Sequence, residues 1–151
     1  MTTDTDPFNL RRFLEAQATD YRQALGELKR GRKESHWIWY IFPQIDGLGE
    51  SPTSKHYAIK TLGEAREYLK HPVLGSRLKE CCEVVLALAE RDISKVLGYP
   101  DDLKFRSSMT LFAEAAAPGS IFRKLLDKYF VGKPDERTLE ILRCLSGEAG
   151  H

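Results

Sequence analysis

Apolar residues along this chain recur every three or four positions and almost never alternate, and that period dictates helices that pack on one another. Leu10, Phe13, Leu14, Gln17, Tyr21, Ala24, Leu25 and Leu28 form one such stripe, closed by Gly31. Spacing of this kind lines one face of a helix, and a glycine just past the stripe suits a helix C-terminus. It predicts a helix over Leu10–Arg30, with Thr19 leaving open whether one helix or two fill that span. The same period predicts helices over Val73–Glu90, Leu103–Ala116, Ser120–Phe130 and Asp135–Leu145. Shorter helical turns follow from Ser51-Pro52, from Thr61 with Glu64, and from Asp92 ahead of Gly98, each a start signal of the capping kind.

Paired strand signals are missing. The segment Trp37 to Phe42 is rich in aromatic and β-branched residues, which favour strands. A lone strand has no partner here, and Pro43 restricts the residue before it, so a short helix ending at Phe42 is expected. The reading is a mainly α, single-domain, multi-helix fold over residues 8–146. Residues 1–7 are expected to form a disordered arm and 147–151 a flexible tail, since neither has much to bury.

Composition narrows the function. A chain of 151 residues buries roughly 70% of its unfolded surface, enough to fold without a metal or disulfide. Its 23 basic and 22 acidic residues leave a net charge of +1, which argues against a nucleic-acid partner. Three cysteines, with Cys81 and Cys82 adjacent, fit neither a disulfide framework nor a zinc spacing. They imply a reducing compartment, and with no leader or apolar run long enough for a bilayer the expected location is cytoplasmic. Both vicinal cysteines are expected to be reduced, with at least one buried on the apolar face.

No phosphate-binding glycine motif, metalloprotease motif or nucleophile elbow is present. His36, His56, His71 and His151 share no ligand spacing, so no metal and no cofactor is expected. Chemistry-bearing residues are dense in one stretch, Arg32 to Tyr57, which holds both tryptophans and a glycine-rich loop from Asp46 to Ser51. Aromatic walls beside a few polar groups are what a small-molecule pocket requires. A second cluster, Lys104 to Thr110, sets Arg106 beside hydroxyl residues, and a guanidinium fork suits phosphate or carboxylate. The expected site binds a small anionic, nucleotide- or phosphate-like ligand. Arg32, Lys33, His36 and Arg106 would hold the anion, Trp37 or Trp39 would stack on it, and Gln44 and Ser107 would orient it. The two clusters are expected to meet around one cavity. The alternative is that these aromatics form core or a protein interface, with Arg106 paired to Asp102 on a solvated face. Gln17, set in an apolar stripe, is either buried and hydrogen-bonded or turned into a cavity.

Five stretches carry a family resemblance: FLEAQ at Phe13–Gln17, GRKESHWIWYIFPQIDGLGESP from Gly31, YAI at Tyr57–Ile59, EAREYLKHPVLGSRL from Glu64, and DDLKFRSSMTLF from Asp101. On these the chain is identified as a member of the domain-of-unknown-function 1810 family, small and mostly bacterial proteins, over about Phe8 to Leu142. The resemblance implies a mostly helical fold and no established activity. The calpastatin-like label sometimes given to the family implies a disordered inhibitor, whereas this chain is patterned for a core. Pro52 to Tyr57 also resembles the TSEHY-type motif of the helical N-glycosidase-like family associated with NAD and ADP-ribose metabolism. That likeness implies a hydrolase with His36 or Glu34 as acid/base. Lys55 stands where that motif carries a carboxylate, a group that glycosidic cleavage uses.

Overall fold

Asp6 ends the first turn of the described chain by taking the backbone N–H of Leu10 at 2.8 Å and of Arg11 at 3.0 Å. The computed structural model describes residues 6–150. Asp6 and Pro7, expected within the arm, belong to the described chain; residues 1–5 and 151 of the expected arm and tail lie outside the described residues. From that cap α1 runs unbroken over Arg11–Arg30, through Thr19, and Gly31 closes it at φ 76 with its N–H on Glu27 and Leu28 carbonyls. The Trp37 to Phe42 segment folds as the short helix expected, α2 (Ile38–Ile41), which Pro43 prevents from continuing.

Three local caps set the next elements. Ser51 accepts the N–H of Ser54 to open α3 (Pro52–Tyr57), and Thr61 accepts that of Glu64 to open α4 (Leu62–Lys70). The box at Thr61 is only half made, since the Glu64 carboxylate reaches the Lys60 N–H at 2.8 Å instead. α5 (Leu74–Ala87) lies within the expected Val73–Glu90 span, and His71 Nδ1 takes the N–H groups of Val73 and Leu74. α6 (Ile93–Leu97) starts on Asp92, and α7 (Asp101–Ala115) follows Gly98. α8 (Ile121–Phe130) begins after Ser120, whose hydroxyl makes no capping bond. α9 (Glu136–Gly150) carries the helical backbone through 147–150, where a tail was expected. The described residues form no strand, and the architecture is mainly α.

α7 lies at the centre, against α8, α4, α6, α9 and α2, while α5 packs on α1, α4 and α8. Residues Ser107 to Phe112 are consecutively buried, as required of a helix surrounded on all faces. Phe42 meets Phe105 edge-on at 4.8 Å, and Phe13 meets Tyr68 at 5.1 Å. These contacts pin α2 and α1 to the central helices. α4 and α5 approach so closely that a Cβ at Gly75 would lie 2.1 Å from the Leu69 carbonyl oxygen. One parallel β-bridge, Ile45 with Ile59, ties the glycine-rich stretch to the chain after α3.

Candidate functional site

The Arg32 to Tyr57 segment is held in place from α1 by a buried carboxylate. Glu27 takes the N–H of Glu34 at 2.8 Å, that of Ser35 at 3.0 Å, the Ser35 hydroxyl, and the Trp37 indole N–H at 2.8 Å. Burial alone would raise its pKa, yet the donors outweigh it and hold Glu27 at about 2. Backbone N–H groups thus find a partner where no helix or sheet supplies one. Sequence reasoning passed over Glu27 because a glutamate in a helix ordinarily faces water. Its place on the stripe side, four residues before Gly31, was the available signal.

Arg12 is the second buried charge that the pattern did not reveal. It donates to the carbonyls of Phe8, Asn9, His56 and Ala58 and to Glu64 at 2.7 Å, so its whole fork is used. That network fixes the end of α3 against α1. Gln17 proves to be buried and bonded, donating to the Tyr40 carbonyl at 2.7 Å and the Tyr68 hydroxyl at 3.0 Å.

Of the cationic residues expected to converge, Lys33 and Arg106 are engaged with separate partners. Lys33 is spent on Asp101 at 2.8 Å and on the Ser35 carbonyl, with its ammonium 5.0 Å from the centre of the buried Trp37 ring. Arg106 does not pair with Asp102. Its Nε donates to the Lys133 carbonyl at 3.0 Å and its guanidinium lies over Phe130. Ser107 is buried and donates back to Leu103, and Thr110 donates to the Arg106 carbonyl rather than flanking its guanidinium. Arg32, Glu34 and His36 are exposed, and Glu34 is 4.0 Å from Arg30. The two segments do meet, through Lys33–Asp101 and through Lys104, whose ammonium is 5.1 Å from the Trp39 ring centre.

A cavity does lie in the dense segment, one turn further along. Trp39, Gln44, Ile45, Gly47, Gly49, Ser54, Tyr57 and Ala58 line a cavity of about 10 Å³. That is the room of one water-sized atom. The Trp39 indole N–H is buried and has no protein acceptor. No carboxylate lines this cavity, so the acid/base pair expected of a glycosidic hydrolase is not assembled there. Lys104 stands by Trp39 with an excess of positive charge, since Asp101 serves both Lys33 and, at 3.6 Å, Lys104. A wider groove of about 450 Å³ runs past Phe8, Arg11, Lys70 and His71. Asp6 and Glu67 put both signs of charge along it, which selects no ligand class. Among the described residues no group of three or more His, Cys, Asp or Glu is placed to hold a metal ion. No helix there is long and apolar enough to cross a membrane.

Fold and cavity together define a mainly α-helical protein with a small, glycine-walled polar cavity beside a lysine-covered tryptophan. The chain belongs to the DUF1810 family, described as a protein of unknown function, whose model matches residues 7–142. It is also similar to the conserved hypothetical protein Rv1873 from Mycobacterium tuberculosis, known from a crystal structure. The two share 50% sequence identity and a TM-score of 0.89, over 91% of this chain and 98% of that one. No curated protein matches the chain.

Proposed function

We propose that this protein binds a small anionic ligand of the phosphate or nucleotide class at the Trp39 cavity, in the reducing setting of the cytoplasm. The observation that carries the reading is the buried Trp39 N–H without an acceptor. A buried donor left unpaired costs about 1–3 kcal/mol, and a ligand oxygen removes that cost. The cavity has room for that one oxygen, while Gln44 and Ser54 offer further polar contacts from its wall. Lys104, less than fully neutralised by Asp101, supplies the positive field, a role expected from the sequence of Arg32, Lys33, His36 and Arg106.

The test uses thermal shift and intrinsic fluorescence, since both tryptophans lie in this segment. ADP-ribose, ADP, ribose 5-phosphate and inorganic phosphate are the probes, with ribose as the neutral control. A binding anion at a hundredfold excess over Kd should raise Tm by about 5–10 °C. Trp39→Phe, which keeps the ring and removes the N–H, should abolish that rise. The proposal fails when no phosphorylated probe at millimolar concentration moves Tm further than ribose does.

A further inference from the structure

The space at Trp39 admits one oxygen, so a ligand larger than water enters only when part of the wall moves. The wall has a fixed side and a thin side. Ile45 and Ala58 are buried, and the chain there is pinned by Asp46 N–H on the Ile59 carbonyl at 2.7 Å and Ile59 N–H on Gln44 at 2.8 Å. Gly47 and Gly49 present only backbone. Gly47 holds φ 110, a conformation that glycine adopts freely, and a Cβ there would lie 3.2 Å from Ile141 Cδ1 of α9. Behind the loop, a Cβ at Gly49 would meet Ser54 at 2.6 Å. The glycine loop is therefore held between Ile141 on one side and Ser54 of α3 on the other.

We infer that α9 is a latch: Ile141, seated on Gly47, holds the glycine loop closed over the Trp39 cavity, and withdrawal of α9 opens it. This inference takes the cavity as the ligand site, and so rests on the function proposed above. The attachment of α9 suits such a motion. Its start is anchored to α7, where Thr110 Oγ1 accepts the Asp135 N–H at 2.8 Å and the Asp135 carboxylate takes the Thr138 N–H at 2.9 Å and hydroxyl at 2.6 Å. Thr138 is fully buried, whereas Cys144 and Leu145 further along are exposed. Burial thus falls from Thr138 through the partly buried Ile141 and Leu142 to the exposed residues 143–146, the distribution expected of an element that swings about its N-terminal end. Segments with few buried contacts open locally at low cost.

The experiment measures solvent exchange of the two indole N–H signals by NMR in the full chain, with Trp39→Phe identifying the Trp39 signal. Ile141→Ala should speed Trp39 exchange tenfold or more and leave Trp37, bound to Glu27, unchanged. Ile141→Val, which keeps most of the contact, should fall between and serves where the alanine variant folds poorly. Equal acceleration of both indoles would mean general loosening and would overturn the latch, as would no change at Trp39. Accelerated Trp39 exchange in a protein that binds none of the phosphorylated probes would leave the latch standing and remove the ligand reading alone.

Discussion

The Trp37 indole N–H donates to Glu27 Oε1 at 2.8 Å, whereas the indole two residues on, Trp39, finds no protein acceptor. The difference separates two functions within one short segment. Trp37 is anchored to α1 and, through Phe42 and Phe105, to α7, so it fixes where α2 begins. Trp39 lines the small cavity.

Glu27 makes this anchor pH-dependent. Its pKa is about 2 in the folded protein against an ordinary value of 4.5. A depressed carboxylate contributes stability that is fully present above its unfolded pKa and is lost as pH falls through the folded one. The window is therefore pH 4.5 down to about 2, and the contribution is on the order of 3 kcal/mol. Glu27→Gln should lower stability at pH 7 by about 2–3 kcal/mol and remove most of that acid-dependent loss. Urea midpoints at pH 7 and pH 3 check both; an unchanged slope between them would contradict the assignment.

Removing one partner of the Arg12–Glu64 pair should cost more than removing both. Arg12→Met leaves the Glu64 carboxylate without its positive partner and four backbone carbonyls without this donor, a loss of about 3–5 kcal/mol. Adding Glu64→Leu should recover a measurable part of it. A double-mutant cycle by chemical denaturation reads the coupling, and strict additivity would argue that the two charges do not sense each other.

Two glycines should respond to alanine for different reasons. At Gly75 a Cβ would strike the Leu69 carbonyl at 2.1 Å, so α4 and α5 must separate. Overpacking of that kind costs about 3 kcal/mol. At Gly98 nothing lies within 4 Å, and only the φ of +80 opposes a side chain. With ψ at 162 the residue lies in a region that essentially only glycine occupies, and the expected cost there is about 2 kcal/mol. Thermal melts that rank the two in reverse order would show that the helix crossing is looser than described.

Cysteine reactivity should divide one to two. Burial pushes the Cys81 thiol up to about 12 and raises that of Cys82 as well, so neither holds appreciable thiolate at neutral pH. Cys144 is exposed. A thiol reagent should therefore label one equivalent rapidly in the native protein and the other two only on unfolding. Two or more fast equivalents would place Cys81 or Cys82 at the surface.

The helices are legible along the chain, because a helix is a local object. Spacing along Leu10 to Leu28, the caps at Ser51, Thr61 and Asp92, the glycine after Arg30 and the proline after Phe42 each act within a turn or two of the chain. The sequence also marked Gln17 as a residue needing a partner, and the Arg32 to Tyr57 stretch as unusual. Tertiary structure alone decided where the charges went. Lys33 reaches Asp101 and Arg106 reaches the Lys133 carbonyl, partners that no period along the chain relates. Glu27 and Arg12 read as solvated helix residues until neighbouring segments fold over them and supply donors and carbonyls. The cavity is the same kind of object. Trp39, Gly47 and Tyr57 line it only because the Ile45–Ile59 bridge brings that loop and the end of α3 together. Local geometry follows from neighbours in sequence, whereas a charge or an indole N–H is matched by whichever group packing delivers to it.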